Sequence, residues 1–212
     1  MKKTTLIIIL LISLSSSAAN ALMPTKKEDP LRFFKKASTQ QQNKSVIIQQ
    51  NLEKLNQYAD GQHTEDVLPL LEETLALMQT YKLELINSGL DTDSTEIKNI
   101  NTTIGDLYYT KGLIYTEEKN DLEIAEISYI KAANYEPSYI LKFLDFANNE
   151  ATKRNYLKTE LYLTCFIETY DTSKAELAKA YKLRGKIRAK YLDNQVGAKK
   201  DFEKAKELEN II

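Results

Sequence analysis

Residues 108–137, YYTKGLIYTEEKNDLEIAEISYIKAANYEP, and residues 181–210, YKLRGKIRAKYLDNQVGAKKDFEKAKELEN, carry one pattern written twice. Gly112 is followed by Ala125, Tyr129 and Ala132 at intervals of 13, 4 and 3. Gly185 is followed by Ala198, Phe202 and Ala205 at the same intervals. Tyr108 and Tyr181 lie four residues before each glycine, Ile114 and Ile187 two after, and Asp121 and Asn194 nine after. A glycine inside an apolar helical run costs roughly 1 kcal/mol relative to alanine. The close approach of a second helix offsets that cost, and the paired alanines, seven apart, supply its facing side. Tyr129 and Phe202 then fill the space between, and Asp121 and Asn194 stand where they can accept a hydrogen bond from a free first-turn amide. The repeat offset of 73 residues is about twice the length of a helix-hairpin repeat. The pattern therefore predicts three units, at residues 106–138, 139–172 and 173–212, with the middle one eroded.

Outward from that pattern, the whole chain reads as helical. Among 212 residues there are only 6 glycines, 4 prolines and no tryptophan, too little punctuation for the frequent turns of a strand protein. Ile47, Ile48, Leu52 and Leu55 keep helical spacing up to Gly61. Leu71, Leu75, Met78, Tyr81, Leu85 and Ile86 do the same from a cap at Asp66 to a stop at Gly89. Residues 46–105 are therefore expected to form an N-terminal helical hairpin ahead of the repeats.

Tyr108, Gly112, Tyr115, Ala125, Tyr129, Ala132 and Pro137 resemble the tetratricopeptide repeat and the related Sel1-like repeat, over about half of the exported chain. The resemblance implies an all-α fold in which antiparallel helix hairpins stack as a short right-handed solenoid, and a role in protein binding. The chain departs from the pattern at three points. The gap from glycine to alanine is one residue longer, the leucine before the glycine is Lys111 or Arg184, and Arg188 replaces the second tyrosine.

The first residues read as an address. Lys2 and Lys3 precede an apolar run from Leu6 to Leu14, and Ala19, Asn20 and Ala21 form an AlaXAla cleavage site, so residues 1–21 are expected to be a signal peptide cut after Ala21. The destination would be the periplasm of a bacterial envelope or the medium. Residues 22–45 follow as a flexible basic leader. Within it, Leu31, Arg32, Phe33, Phe34, Lys35 and Lys36 fit either a short turn docked on the body or contact with an anionic membrane. Removal of residues 1–21 leaves 27 basic and 30 acidic residues, a formal charge of −3, which recommends no nucleic-acid partner.

Chemistry finds little to work with. His63 is the only histidine and Cys165 the only cysteine, so no histidine–nucleophile constellation, zinc site or intrachain disulfide can be built. Asp91 and Asp93 lack the glycine and terminal glutamate of a calcium loop and read as a solvated helix cap. No enzyme activity, cofactor or metal is expected.

One feature rises above a bare scaffold. Lys179, Lys182, Lys186 and Lys190 share one face of a helix in a stretch whose only acid is Glu176. Either they form a solvated face neutralised by Asp201, Glu203 and Glu207 on the next helix, or they receive an acidic segment of a partner. By the family resemblance, Lys182 and Lys186 would face a groove of the kind that holds acidic peptide ends. Tyr109 and Leu113 are the second candidate contact. The sequence thus points to an exported repeat scaffold for protein–protein interaction. A lipid-associated protein that uses the leader and the basic helix, or a secreted effector, is the alternative.

Overall fold

A computed structural model describes residues 39–59, 67–171 and 173–210, with side chains from residues 43–57, 67–171 and 173–210. Residues 1–21, read above as a signal peptide, residues 22–38 of the expected leader, Gly61, His63 and Asp66 lie outside the described residues. Within them the chain is all-helical, in eight α-helices: α1 (Thr39–Ala59), α2 (Val67–Asn87), α3 (Thr95–Ile114), α4 (Leu122–Tyr135), α5 (Tyr139–Thr152), α6 (Tyr156–Thr169), α7 (Lys174–Tyr191) and α8 (Gln195–Glu209). A single π-helical turn, Tyr115–Lys119, prolongs α3. Helix α1 begins at Thr39, so residues 39–45 of the expected leader are helical. The glutamines there are good helix formers, and Ser45 is buried while Lys44 pairs with Glu84 of α2.

The chain divides into two compact units, Met1–Glu118 and Lys119–Ile212. The sequence unit 106–138 falls across this division, with Gly112 on α3 in the first and Ala125 on α4 in the second.

In the first unit α2 packs against both α1 and α3. Ile48, Leu55, Leu71, Met78, Ile97, Ile104 and Leu107 are almost wholly buried, each from the apolar stripe of its own helix. The run of α2 and α3 is antiparallel, because Glu72 meets Lys111 at 2.9 Å while Lys82 meets Asn101 at 3.1 Å. Helix α2 stops where glycine permits it. Gly89 sits at φ +96°, and the amides of Gly89 and Leu90 turn back to the carbonyls of Ile86 and Leu85. Asp91 then accepts from the amide of Asp93 at 2.9 Å, and Ser94 caps α3 through Ile97 N at 3.3 Å. The aspartate pair thus shapes a helix entry.

Tyr81 of α2 gives this unit an alkaline limit. Its phenol is pushed up to about 12 from its ordinary value of 10.0, first by burial and then by the carboxylates of Glu96 and Glu84. The folded chain holds this proton more tightly than the unfolded chain. Its contribution is therefore complete below pH 10 and is lost as pH rises from there to about 12. Urea midpoints measured at pH 9 and pH 11.5 should fall less for Tyr81→Phe than for the parent. An equal fall would mean that the phenol is solvated.

In the second unit α6 is central, packed against α4, α5 and α7, while α7 and α8 form the most extensive helix pair. Three of its loops share one device. Asn120, Arg154 and Asp193 each take positive φ (53°, 62° and 50°) directly before the residue that opens the next helix. Asp121 caps α4 through Ile124 N at 3.1 Å and Asn194 caps α8 through Gly197 N at 2.9 Å. Residues 139–172 hold α5 and α6, which pack on one another.

The four alanines of the repeated pattern are buried, at 0 % exposure for Ala125, Ala132 and Ala205 and 2 % for Ala198. Tyr129 and Phe202 differ. Tyr129 is fully buried between Phe143 and Tyr162, at centroid distances of 5.7 and 5.5 Å, whereas Phe202 keeps 40 % of its surface exposed. Gly185 has the close approach its position implies. A Cβ there would stand 2.9 Å from Cε1 of Phe202 and 3.2 Å from Cβ of Asp201. The Phe202 ring can swing outward, so Gly185→Ala should change stability by under about 1 kcal/mol, its clash opposed by better helix propensity. Gly185→Leu should cost about 1–3 kcal/mol through overpacking of α7 on α8. If urea unfolding finds the leucine variant equal to the parent, the glycine is not a packing position.

Candidate functional site

Helix α7 is capped by Ser173, whose Oγ accepts from Glu176 N, and runs from Lys174 to Tyr191 with five lysines and two arginines among its residues. The fold sorts these cations by side-chain type. Arg184 and Arg188 turn inward, and Lys179, Lys182, Lys186 and Lys190 are all exposed.

The inward pair forms a charged network across three helices. Arg184 is 7 % exposed. Its Nε donates to Oδ2 of Asp201 at 3.1 Å, its Nη2 to Oδ1 of the same carboxylate at 2.8 Å, and its Nη1 to Oγ1 of Thr164 at 3.1 Å. Arg188 donates from Nη1 to Oδ2 of Asp201 at 3.1 Å and from Nε to Oε1 of Glu160 at 2.5 Å. Asp201 of α8, only 2 % exposed, thus accepts from both arginines, while α6 supplies Thr164 and Glu160. The planar guanidinium fork suits this two-point recognition in a way an ammonium does not.

Two neighbours feel the burial. The Glu126 carboxyl of α4 is held above its ordinary range, first by desolvation and then by Glu168, against the pull of Arg184 and Arg188. Burial pushes the Cys165 thiol well up, with Glu126 and Glu168 adding to it. That thiol is therefore protonated at neutral pH and acts as a small core side chain.

The outward lysines are the surface the sequence singled out. Asp201, one of the three acids that would neutralise them, is committed to the arginines inside. Glu203 stands 3.9 Å from Lys199, and Glu207 meets Lys204 at 3.0 Å, all on α8 itself. Lys182 pairs instead with Glu209 at 2.6 Å, with both side chains about half exposed, and Lys190 lies 5.1 Å from the centre of the Tyr191 ring. Among the described residues Lys179 and Lys186 have no carboxylate within 4.0 Å.

Tyr109 and Leu113, the other expected contacts, do not belong to an exposed surface. They are 2 % and 6 % exposed, among the buried side chains of α3. Glu160 and Thr164 had no assigned role in the sequence, and Asp201, expected to neutralise the outward lysines, serves the inward arginines instead. Their signal was the departure itself: arginine at positions 184 and 188, where the repeat pattern expects leucine and tyrosine, demands buried acceptors.

Among the described residues no group of three His, Cys, Asp or Glu side chains is placed to hold a metal ion, and no helix is long and apolar enough to cross a membrane. Comparison of the chain with protein-family models, with curated proteins and with solved structures gives no match.

Proposed function

We propose that the chain is an exported helical-repeat scaffold of a bacterial envelope that binds a protein or peptide through an acidic segment, and that α7 carries the binding face. The residues 1–21 supply the export argument, and the repeated Gly–Ala–aromatic–Ala pattern supplies the tetratricopeptide-like one. The observation that carries the binding role is the sorting of α7. Its arginines are neutralised inside, while its lysines stay outside with most of the neighbouring acids already engaged by other cations. Such a face keeps a positive potential that attracts and orients an acidic partner.

Reversal of Lys182 and Lys186 to glutamate should abolish capture of a partner from envelope extract. The melting temperature should hardly move, because the exposed Lys182–Glu209 pair contributes less than about 1 kcal/mol. Added salt should weaken capture by the parent, since such contacts are screened over about 8 Å at physiological ionic strength. Lys54 and Lys98, both exposed on the first unit, serve as reversal controls. Equal capture by test and control variants, or capture indifferent to salt, would leave α7 as a solvated face and remove the basis of the reading.

A further inference from the structure

Along one face of α8, Gln195, Ala198, Lys199, Phe202, Glu203 and Lys206 line a shallow, wide-open groove. Two contacts set the relation of α8 to α7. Gly185 of α7 lies under the Phe202 ring, and Lys182 of α7 reaches Glu209 of α8. The two helices therefore run antiparallel, with Lys182 along one edge of α8 and Lys186 one turn further on the same face of α7. Phe202 is the aromatic floor and is 40 % exposed. Four lysines at its margins, Lys182, Lys186, Lys199 and Lys206, face two glutamates, Glu203 and Glu209, so the surface keeps a positive excess.

The chain itself shows what such a floor receives. Tyr129 holds the same place in α4 that Phe202 holds in α8. It is fully covered there, by Phe143 of α5 and Tyr162 of α6. An α-helix that brings an aromatic side chain is thus the natural complement of this face. On α8 the complement must also satisfy the lysines.

We infer that the α8 groove binds an amphipathic helical segment of a partner, with an aromatic or large aliphatic anchor seated on Phe202 and Asp or Glu residues paired with Lys182, Lys186 and Lys206. The inference rests on the acidic-partner reading above and adds the anchor and its seat. Apolar contact at a groove floor, ringed by charge, is how amphipathic helices are recognised. The anchor provides residence and the charges provide approach and orientation.

A phage-displayed library of random 16-residue peptides is the probe. Selection on the parent protein should enrich sequences that combine an apolar anchor with flanking acids. The enriched peptides should bind Phe202→Ser at least tenfold more weakly, with helical content checked by circular dichroism. Lys206→Glu, which alters an exposed side chain only, should weaken them as well. Phe202→Trp adds a direct reading, because the chain has no tryptophan of its own. Its emission should shift to the blue as the selected peptide saturates it.

Binding lost in Lys182→Glu/Lys186→Glu but unchanged in Phe202→Ser would keep the acidic-partner reading and overturn the groove. Binding indifferent to both overturns both. No enrichment over a parallel selection on Phe202→Ser, enriched peptides without acidic residues, or an unshifted emission at saturation each overturn the inference.

Discussion

Replacing Asp201 by alanine is expected to lower the stability of the second unit by about 3–5 kcal/mol, the usual cost of removing one partner of a buried ion pair. Asp201 accepts three hydrogen bonds from two arginines, and its side chain is 3 % exposed. Without it the guanidinium of Arg184, 8 % exposed, keeps Thr164 Oγ1 as its one hydrogen-bond acceptor among the described residues. The penalty is thus the stranded cation more than the lost attraction. Simultaneous replacement of Arg184 by methionine and Asp201 by leucine should recover much of the loss, since apolar side chains of similar volume need no partner. Urea unfolding of the parent, single and double variants checks both statements. A loss below about 1 kcal/mol for Asp201→Ala would show that water reaches the arginines and that the network is not a buried one.

The second large effect is expected at Phe143, where alanine should cost about 3–5 kcal/mol. Its ring is fully buried in α5 and meets Tyr129 of α4 at 5.7 Å and an interplanar angle of 60°, a tilted aromatic contact. Truncation leaves a void beside Tyr129, and side chains on rigid helices close such a void only in part. Phe143→Leu retains most of the volume and should cost appreciably less. The two variants differ mainly in cavity size, so similar unfolding midpoints would indicate that α5 shifts to refill the site.

The helix content, the starts at Asp121 and Asn194, the stop at Gly89 and the burial of Ala125, Ala132, Ala198 and Ala205 were all legible from residue types and spacing. Each is a local matter. A side chain caps the amide three residues away, a glycine takes the positive φ at a helix end, and a 3.6-residue period fixes which residues share a face. The lysine stripe of α7 was legible for the same reason.

What covers a given face is settled by other helices, and there the sequence is silent. Tyr129 and Phe202 occupy equivalent places in the repeated pattern, yet only Tyr129 has aromatic neighbours from later helices. Tyr109 and Leu113 look like available contacts and are core residues, because the apolar stripe of α3 is broad enough to be buried over most of its turns. Arg184 and Arg188 read as part of a basic stretch, and only the arrival of Asp201, Thr164 and Glu160 from two other helices makes them interior residues. The sequence by itself determined the helices, their ends and the faces they offer. Tertiary structure decided which cations are neutralised inside and which remain outside, since desolvating an arginine is tolerable only where acceptors distant in the chain converge on it.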